Sequence, residues 1–446
     1  MRTKFFAMLA GFAIIGAGTA QAQQSPPKYH CGELGDNNLP QIQPNFRSNT
    51  DLSENNFDCL AWQDFIYFMW PAMTTPGHRG EPNPNAKFGS SGPTVWETYK
   101  TVDAVFLPNG RDPGPWNQLQ LLATLRGSLA QRVDQGAVRH LTETSKVSRP
   151  VLANILRDSA GTPPDILDEI AQAGGGTLYD LNGYPVYYEV AMSRVQYEYI
   201  TANKLYDANK QQAYAASHVI ALPGGGDNKT EGSVEVKAAW KVLSLAEKIS
   251  GHFHMVQALL GGSQQPVTVG LVGFHAFISN GSQGAWATFA QVDNAPVQHP
   301  ATSGTFNFFN PKCTPAPCPF NVKDADPGQV VQINPNADQA TMLNAYMHYI
   351  LQGYSPWQYY NLVDVQWATI PVQVAALPAP KSAPLPDGQP NTPTLVNAVL
   401  ETFLQKDGMS CIGCHKAAKV APTAEQKPNY AAGYSFALKS AHPGPK

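Results

Sequence analysis

Twelve consecutive residues, Val267-Thr-Val-Gly-Leu-Val-Gly-Phe-His-Ala-Phe-Ile278, are apolar on both alternating faces. A strand of that pattern must be covered on both sides, so it demands a layered architecture with this segment at its centre. Its one strongly polar residue, His275, alternates onto a face with Val269, Leu271 and Phe277. Other stretches read as partners for it. Tyr184–Met192 is aromatic and β-branched, and Ser233–Val242 alternates before ending in a tryptophan region. The turn Ser279-Asn-Gly-Ser-Gln-Gly284 leads into Ala285–Val292, the pattern of a hairpin. Helical spacing is read after a Ser53 cap (Phe57, Ala61, Phe65 and Phe68, stopped by Pro71) and again over Thr341–Leu351. The chain carries 37 Gly and 38 Pro, and only 14% of its residues are charged, against about 25% in an average domain. These features exclude a helical bundle and predict an α+β fold. Its antiparallel, β-rich central domain with flanking helices would span residues 23–376.

The N-terminus reads Met1-Arg2-Thr3-Lys4, then an apolar run from Phe5 to about Ala17, then Ala20-Gln21-Ala22. That is the pattern of a cleavable export signal, residues 1–22, with cleavage after Ala22. The run is too short to span a bilayer, and no later stretch is long and apolar enough, so no membrane span is expected in the mature chain. A periplasmic or secreted location follows, with disulfide formation permitted. Six cysteines are present. Outside the pair at 411 and 414, the remaining four can connect in three ways, and local pairing favours Cys31–Cys59 and Cys313–Cys318. The formal net charge is −3. This leaves no basic surface of the kind that binds a phosphate backbone, and nucleic acid is excluded as a partner.

Residues 377–393 contain six prolines, among them Pro378, Pro384 and Pro390, and read as a linker. Beyond it lies a C-terminal segment, 394–446. Thr392 can cap a helix there, with Val396, Val399, Leu400, Phe403 and Leu404 as its apolar stripe and Gly408 as its stop. Then comes Cys411-Ile412-Gly413-Cys414-His415, the attachment spacing of c-type haem. Two thiols three positions apart can form thioethers with the two vinyl groups on one porphyrin edge, and the adjoining imidazole can supply an axial nitrogen. One covalent haem c per chain is expected, on Cys411 and Cys414 with His415 as proximal iron ligand. A zinc site would need a second pair of ligands at suitable spacing, and the tail lacks one. A thioredoxin-type pair would usually follow a strand within a βαβ unit, not a helix and a glycine.

From about Thr394 onward the chain resembles the monohaem c-type cytochromes. It departs from the small members of that group in having its motif near the end, with no Met after it. Over a longer span it is similar to a family of exported bacterial cytochrome-c-like proteins. The stretches that carry this resemblance are Cys59-Leu-Ala-Trp, Phe65 and Trp70-Pro71; Val234-Glu-Val-Lys-Ala-Ala-Trp240; Leu271-Val-Gly-Phe-His275; Trp286-Ala-Thr-Phe-Ala-Gln-Val-Asp-Asn294; and Glu401-Thr-Phe-Leu-Gln405. The resemblance implies one unit containing both the large part and the haem segment, and it implies no substrate.

The group opposite His415 separates electron transfer from catalysis. An open position ranks first, His275 second as distal candidate, and a Met of the large domain third. His252 and His254 read as surface or loop residues, Met69 and Met255 as core fillers, and His442 as part of a mobile tail. Met409 is too close to the motif to reach round the ring. Glu235 and Lys237 share a strand face, either as a solvated pair or as a buried pair beside the haem. Trp240, Trp286, Phe289 and Tyr434 could wall it. Gly224-Gly-Gly226 lacks the ending of a phosphate loop, and no His-Glu-x-x-His occurs. The expected function is electron transfer or redox chemistry with a redox partner protein or a small-molecule substrate. The alternatives are a haem enzyme with an open distal site and a non-catalytic ligand-binding sensor.

Overall fold

The computed structural model describes Cys31, Ile42 and residues 57–118, 127–144, 176–225, 231–423 and 430–445, apart from 262, 282, 314–317, 355, 382–383 and 387. The expected signal segment and the Ser53 cap lie outside these residues. Among the described residues nine strands form one sheet: β1 (Lys100–Thr101), β2 (Arg139–Leu141), β3 (Tyr187–Met192), β4 (Val234–Val242), β5 (Met255–Leu260), β6 (Val267–Ile278), β7 (Ala285–Gln291), β8 (Tyr360–Ile370) and β9 (Gln389–Pro390). The main path runs β1-β3-β4-β6-β7-β8-β9, with β5 joining β6 and β2 joining β5. Every pairing is antiparallel except β2 with β5. With the helices packed around it, this is the α+β architecture that the apolar segment demands. β6 lies in the middle, between β4 on one side and β5 and β7 on the other. Its hairpin to β7 needs glycine at 284, where φ is +121° and a Cβ would meet the Ile278 carbonyl at 2.4 Å.

One face of the sheet is covered by the helix Phe57–Phe68 and the helix Asp338–Ile350. The first was expected to bury a stripe, yet all twelve of its residues are buried. Phe65 stacks on Phe289 at 4.3 Å and meets Phe274 edge-on at 6.1 Å. The Trp62 indole donates to Asn344 Oδ1 (3.0 Å), which also accepts from the Leu362 amide (2.9 Å), so one amide side chain ties both helices to β8. Cys31 and Cys59 form a disulfide, as do Cys313 and Cys318. Among the described residues no helix is long and apolar enough to cross a membrane, and the two disulfides fit an oxidising, extracytoplasmic setting.

The opposite face is covered by the C-terminal segment. Val399 and Leu400 are buried in one cluster with Tyr188, Ala239 and Val272. Gly273 leaves the space that Leu400 fills, since a Cβ there would lie 3.3 Å from Leu400. The Pro-rich 377–393 stretch is packed rather than free: it contributes β9, and Leu385, buried beside Ile412, donates its amide to the Lys416 carbonyl (2.8 Å). The helix expected after Thr392 is replaced by turns and a short 3-10 segment, Thr402–Leu404. Asn397 supplies the reason. Its Oδ1 accepts the Val399 and Leu400 amides (2.9 and 3.3 Å), giving the backbone an alternative to helical bonds. Its Nδ2 donates to Thr288 Oγ1 and the Phe289 carbonyl.

Candidate functional site: a cavity beneath the Cys-x-x-Cys-His helix

Cross-strand register places a polar row on the face beneath the C-terminal segment. Lys237, His275, Thr288 and Asp364 lie opposite one another across β4, β6, β7 and β8. The adjacent row is Glu235, Phe277, Trp286 and Gln366. The polar members hold the segment down. Thr288 accepts from Asn397, His275 Nε2 lies 3.4 Å from Glu401 Oε2, and Glu235 Oε2 accepts from Ser435 Oγ (2.5 Å). Gln366 Oε1 accepts the Ile412 amide at 2.8 Å.

His275 does not share its face with Val269 and Leu271, as simple alternation would require. A bulge in β6 opposite Ala239 and Trp240 inserts Val272 as an extra residue. The phase flips there, as two residues opposing one must make it do. Val269 and Leu271 join the helix-covered core, while Phe277 and His275 face the C-terminal segment.

The five-residue helix Cys411–His415 lies on this face, its Ser410 cap accepting the Gly413 amide at 3.0 Å. His415 and His275 both line a cavity of about 450 Å³, together with Glu235, Lys237, Phe277 and Trp286. That volume falls within the range of about 300–1,000 Å³ usual for small-molecule and cofactor pockets. Neither thiol is among the residues that line the cavity. Cys411 packs against Leu395, Val363 and Ala290, and Cys414 lies within electrostatic range of Lys237. They are not joined in a disulfide. Burial, then Glu401, Cys414 and Asp364, push the Cys411 thiol well above its ordinary value, the opposite of what a thioredoxin-type nucleophile needs. Among the described residues no three or more His, Cys, Asp or Glu side chains come together as a metal-ligand group.

His415 has the environment of an axial ligand. Its Nδ1 donates to the Tyr434 carbonyl at 2.7 Å, leaving Nε2 with its lone pair available. Burial lowers its pKa from the usual histidine value, with Lys237 acting in the same direction, which favours the neutral form of the imidazole. Trp286 lies 6.0 Å from the His415 ring and 4.8 Å from Phe277; Phe436 meets His415 edge-on at 5.2 Å. The Trp286 indole Nε1 is buried with no hydrogen-bond partner. An imidazole with a fixed tautomer beside flat aromatic walls is a setting that suits a porphyrin.

No known protein family, curated protein or solved structure matches the chain. The site therefore rests on its own geometry.

The other expected residues are dispersed. Trp286 and Tyr434 stand at the cavity end of the motif, 6.0 Å apart. Trp240 and Phe289 point to the opposite face, against Trp96 and Phe65. His254 is buried and not a surface residue: its Nε2 pairs with Glu97 Oε1 at 2.9 Å. His252 is half-exposed and bonds Asp293. Met69 is buried, but Met255 is 43% exposed and fills no core. Met409 is buried with Val396 and Leu404, and His442 lines the cavity and bridges to Asp207. The sequence reading missed Arg139, Glu189 and Glu97, which line the far wall. Arg139 pairs with Glu189 and donates to the Glu97 carbonyl, and the Trp240 indole donates to Glu189 Oε1 at 2.7 Å. A lone charge in the apolar Tyr187–Met192 strand was the one available signal; Arg139 and Glu97 had none.

Proposed function

We propose that this chain is an exported, periplasmic c-type haem protein. One haem would be bound through thioethers to Cys411 and Cys414 with His415 as the axial nitrogen, and the protein would carry out redox chemistry with a partner protein or a small molecule. The observation that carries this reading is the hydrogen bond from His415 Nδ1 to the Tyr434 carbonyl, which presents Nε2 as the free nitrogen of a half-buried imidazole lining the cavity. When bound, haem supplies one-electron chemistry whose potential follows from its axial ligands and surroundings. The chain's own contribution is to fix the imidazole tautomer, to pack Phe277, Trp286 and Phe436 around it, and to limit water through the docked C-terminal segment.

A second reading, a haem enzyme or ligand-binding sensor, draws on the cavity itself. Bare electron transfer does not require a space flanked by Lys237, Glu235 and His275. Burial raises the Glu235 carboxyl above its ordinary value, while Gln196 (2.8 Å) and Ser435 orient it. Such groups can hold and deliver protons to a small molecule.

Intact mass and a pyridine haemochrome spectrum of protein matured in an exporting host test the first reading. The expected result is one haem added to the chain processed after Ala22, with a c-type spectrum that survives denaturation. A mass equal to the bare processed polypeptide overturns it. Carbon monoxide added to the reduced protein decides between the readings: binding favours the enzyme or sensor, and inertness favours the carrier.

A further inference from the structure

Lys237 is an expensive residue in its position. It lies in the middle strand region of the sheet, opposite Val190 on β3 and His275 on β6. Burial lowers its pKa, while Glu401, Cys414 and Glu235 favour the charged form from a distance. Among the described residues its ammonium makes no hydrogen bond or ion pair; it lies over the face of Tyr188, 5.9 Å from the ring centroid. Lys237 is half-buried, and a partly desolvated charge without an acceptor is unfavourable.

The nearby carboxylates are already committed. Glu235 Oε2 takes bonds from Gln196 and Ser435, and Glu401 Oε2 accepts the Asn397 amide (2.9 Å) and faces His275. Lys237 therefore directs its donors into the cavity that His415 lines. The Trp286 side chain, 5% exposed, also lines that cavity, and its indole nitrogen is buried with no acceptor. Two donors without acceptors around one space define the chemistry of what fills it.

We infer that Lys237, assisted by Trp286, forms an anion site within the cavity, taking an anionic oxygen group of the carboxylate or small-oxyanion class. This rests on the haem reading for its setting. Two sources offer that chemistry: a propionate of the haem itself, or a free small anion held beside it.

The test uses holoprotein matured in an exporting host, as wild type, Lys237→Met, Lys237→Arg and Trp286→Phe. Sodium nitrite is titrated by calorimetry, a readout that does not require haem, and the propionate bending band is followed by resonance Raman. If the occupant is a free anion, Lys237→Met weakens nitrite binding at least about tenfold, the loss of one charge-assisted bond, while Lys237→Arg recovers most of it. Trp286→Phe weakens it less. If the occupant is the propionate, nitrite does not bind the wild type and Lys237→Met shifts the propionate band, with Lys237→Arg restoring it. Either result supports the site. If neither nitrite affinity nor the propionate band responds to Lys237→Met in folded protein, the site is overturned. Lys237→Gln replaces the methionine variant should that fail to accumulate. Absence of haem by intact mass would instead refute the haem reading, leaving the calorimetric comparison to decide the anion site.

Discussion

The Nδ1 atom of His415 donates to the carbonyl oxygen of Tyr434 at 2.7 Å, and Tyr434 adopts a left-handed backbone conformation, φ +66°. Such a conformation is uncommon for a residue with a bulky side chain and is kept only where the surroundings over-determine it. Here they do. The Tyr434 hydroxyl donates to the Pro386 carbonyl (2.6 Å) and accepts from Gln283 Nε2 (2.9 Å), and its ring meets Trp286 edge-on. The His415 imidazole is thus aimed by a residue nineteen positions downstream, itself held by the Pro-rich stretch.

Replacement of His415 by alanine removes the nitrogen proposed as axial ligand and leaves both thiols. We expect His415→Ala to retain covalent haem by mass but to lose the native absorption spectrum, with added imidazole restoring it. A spectrum unchanged by the substitution would mean that another residue is the ligand.

His275 offers a contrasting case. Its Nε2 lies 3.4 Å from Glu401 Oε2, so the nitrogen most suited to coordination already faces a carboxylate. The expected result for His275→Ala is an unaltered spin state in oxidised and reduced spectra. Conversion from low to high spin would make His275 the distal ligand.

Docking of the C-terminal segment can be weighed through Leu400, buried against Gly273. Leu400→Ala leaves a cavity between the segment and β6 and should cost about 2–5 kcal/mol in urea unfolding, with an unchanged denaturant slope. A loss below about 1 kcal/mol would show that the segment contributes little to the core.

Asp58 predicts a pH dependence. Burial, reinforced by Asp364, raises its pKa from 3.8 to about 7. The folded chain therefore binds this proton more tightly than the unfolded chain. The associated stability is complete below about pH 4 and is lost as pH rises to about 7. Asp364, raised to about 6 mainly by burial, adds to the same trend. Asp58→Asn should melt higher than wild type at pH 7.5, with the gap closing toward pH 4. A melting-temperature difference that does not vary with pH would refute this.

Much of the fold was legible because sheet patterning is local. β6 begins and ends where its apolar run does, β4 and β7 match their expected stretches within a residue or two, and the glycine-bearing turn makes the hairpin. The 394–404 stretch was misread as a helix because periodicity cannot register a side chain such as Asn397 outcompeting helical bonds.

The amino-acid sequence by itself determined the layered, β-centred fold and set Cys411, Cys414 and His415 at the spacing on which the proposed haem attachment rests, since alternation and motif spacing act over a few residues. It could not assign the face of His275, because one inserted residue at Val272 reverses the alternation and only strand pairing reveals it. Nor could it bring Tyr434 to His415, or Lys237 to the same cavity. Those proximities come from register across four strands and from the chain folding back over the sheet, interactions between residues that no local pattern connects.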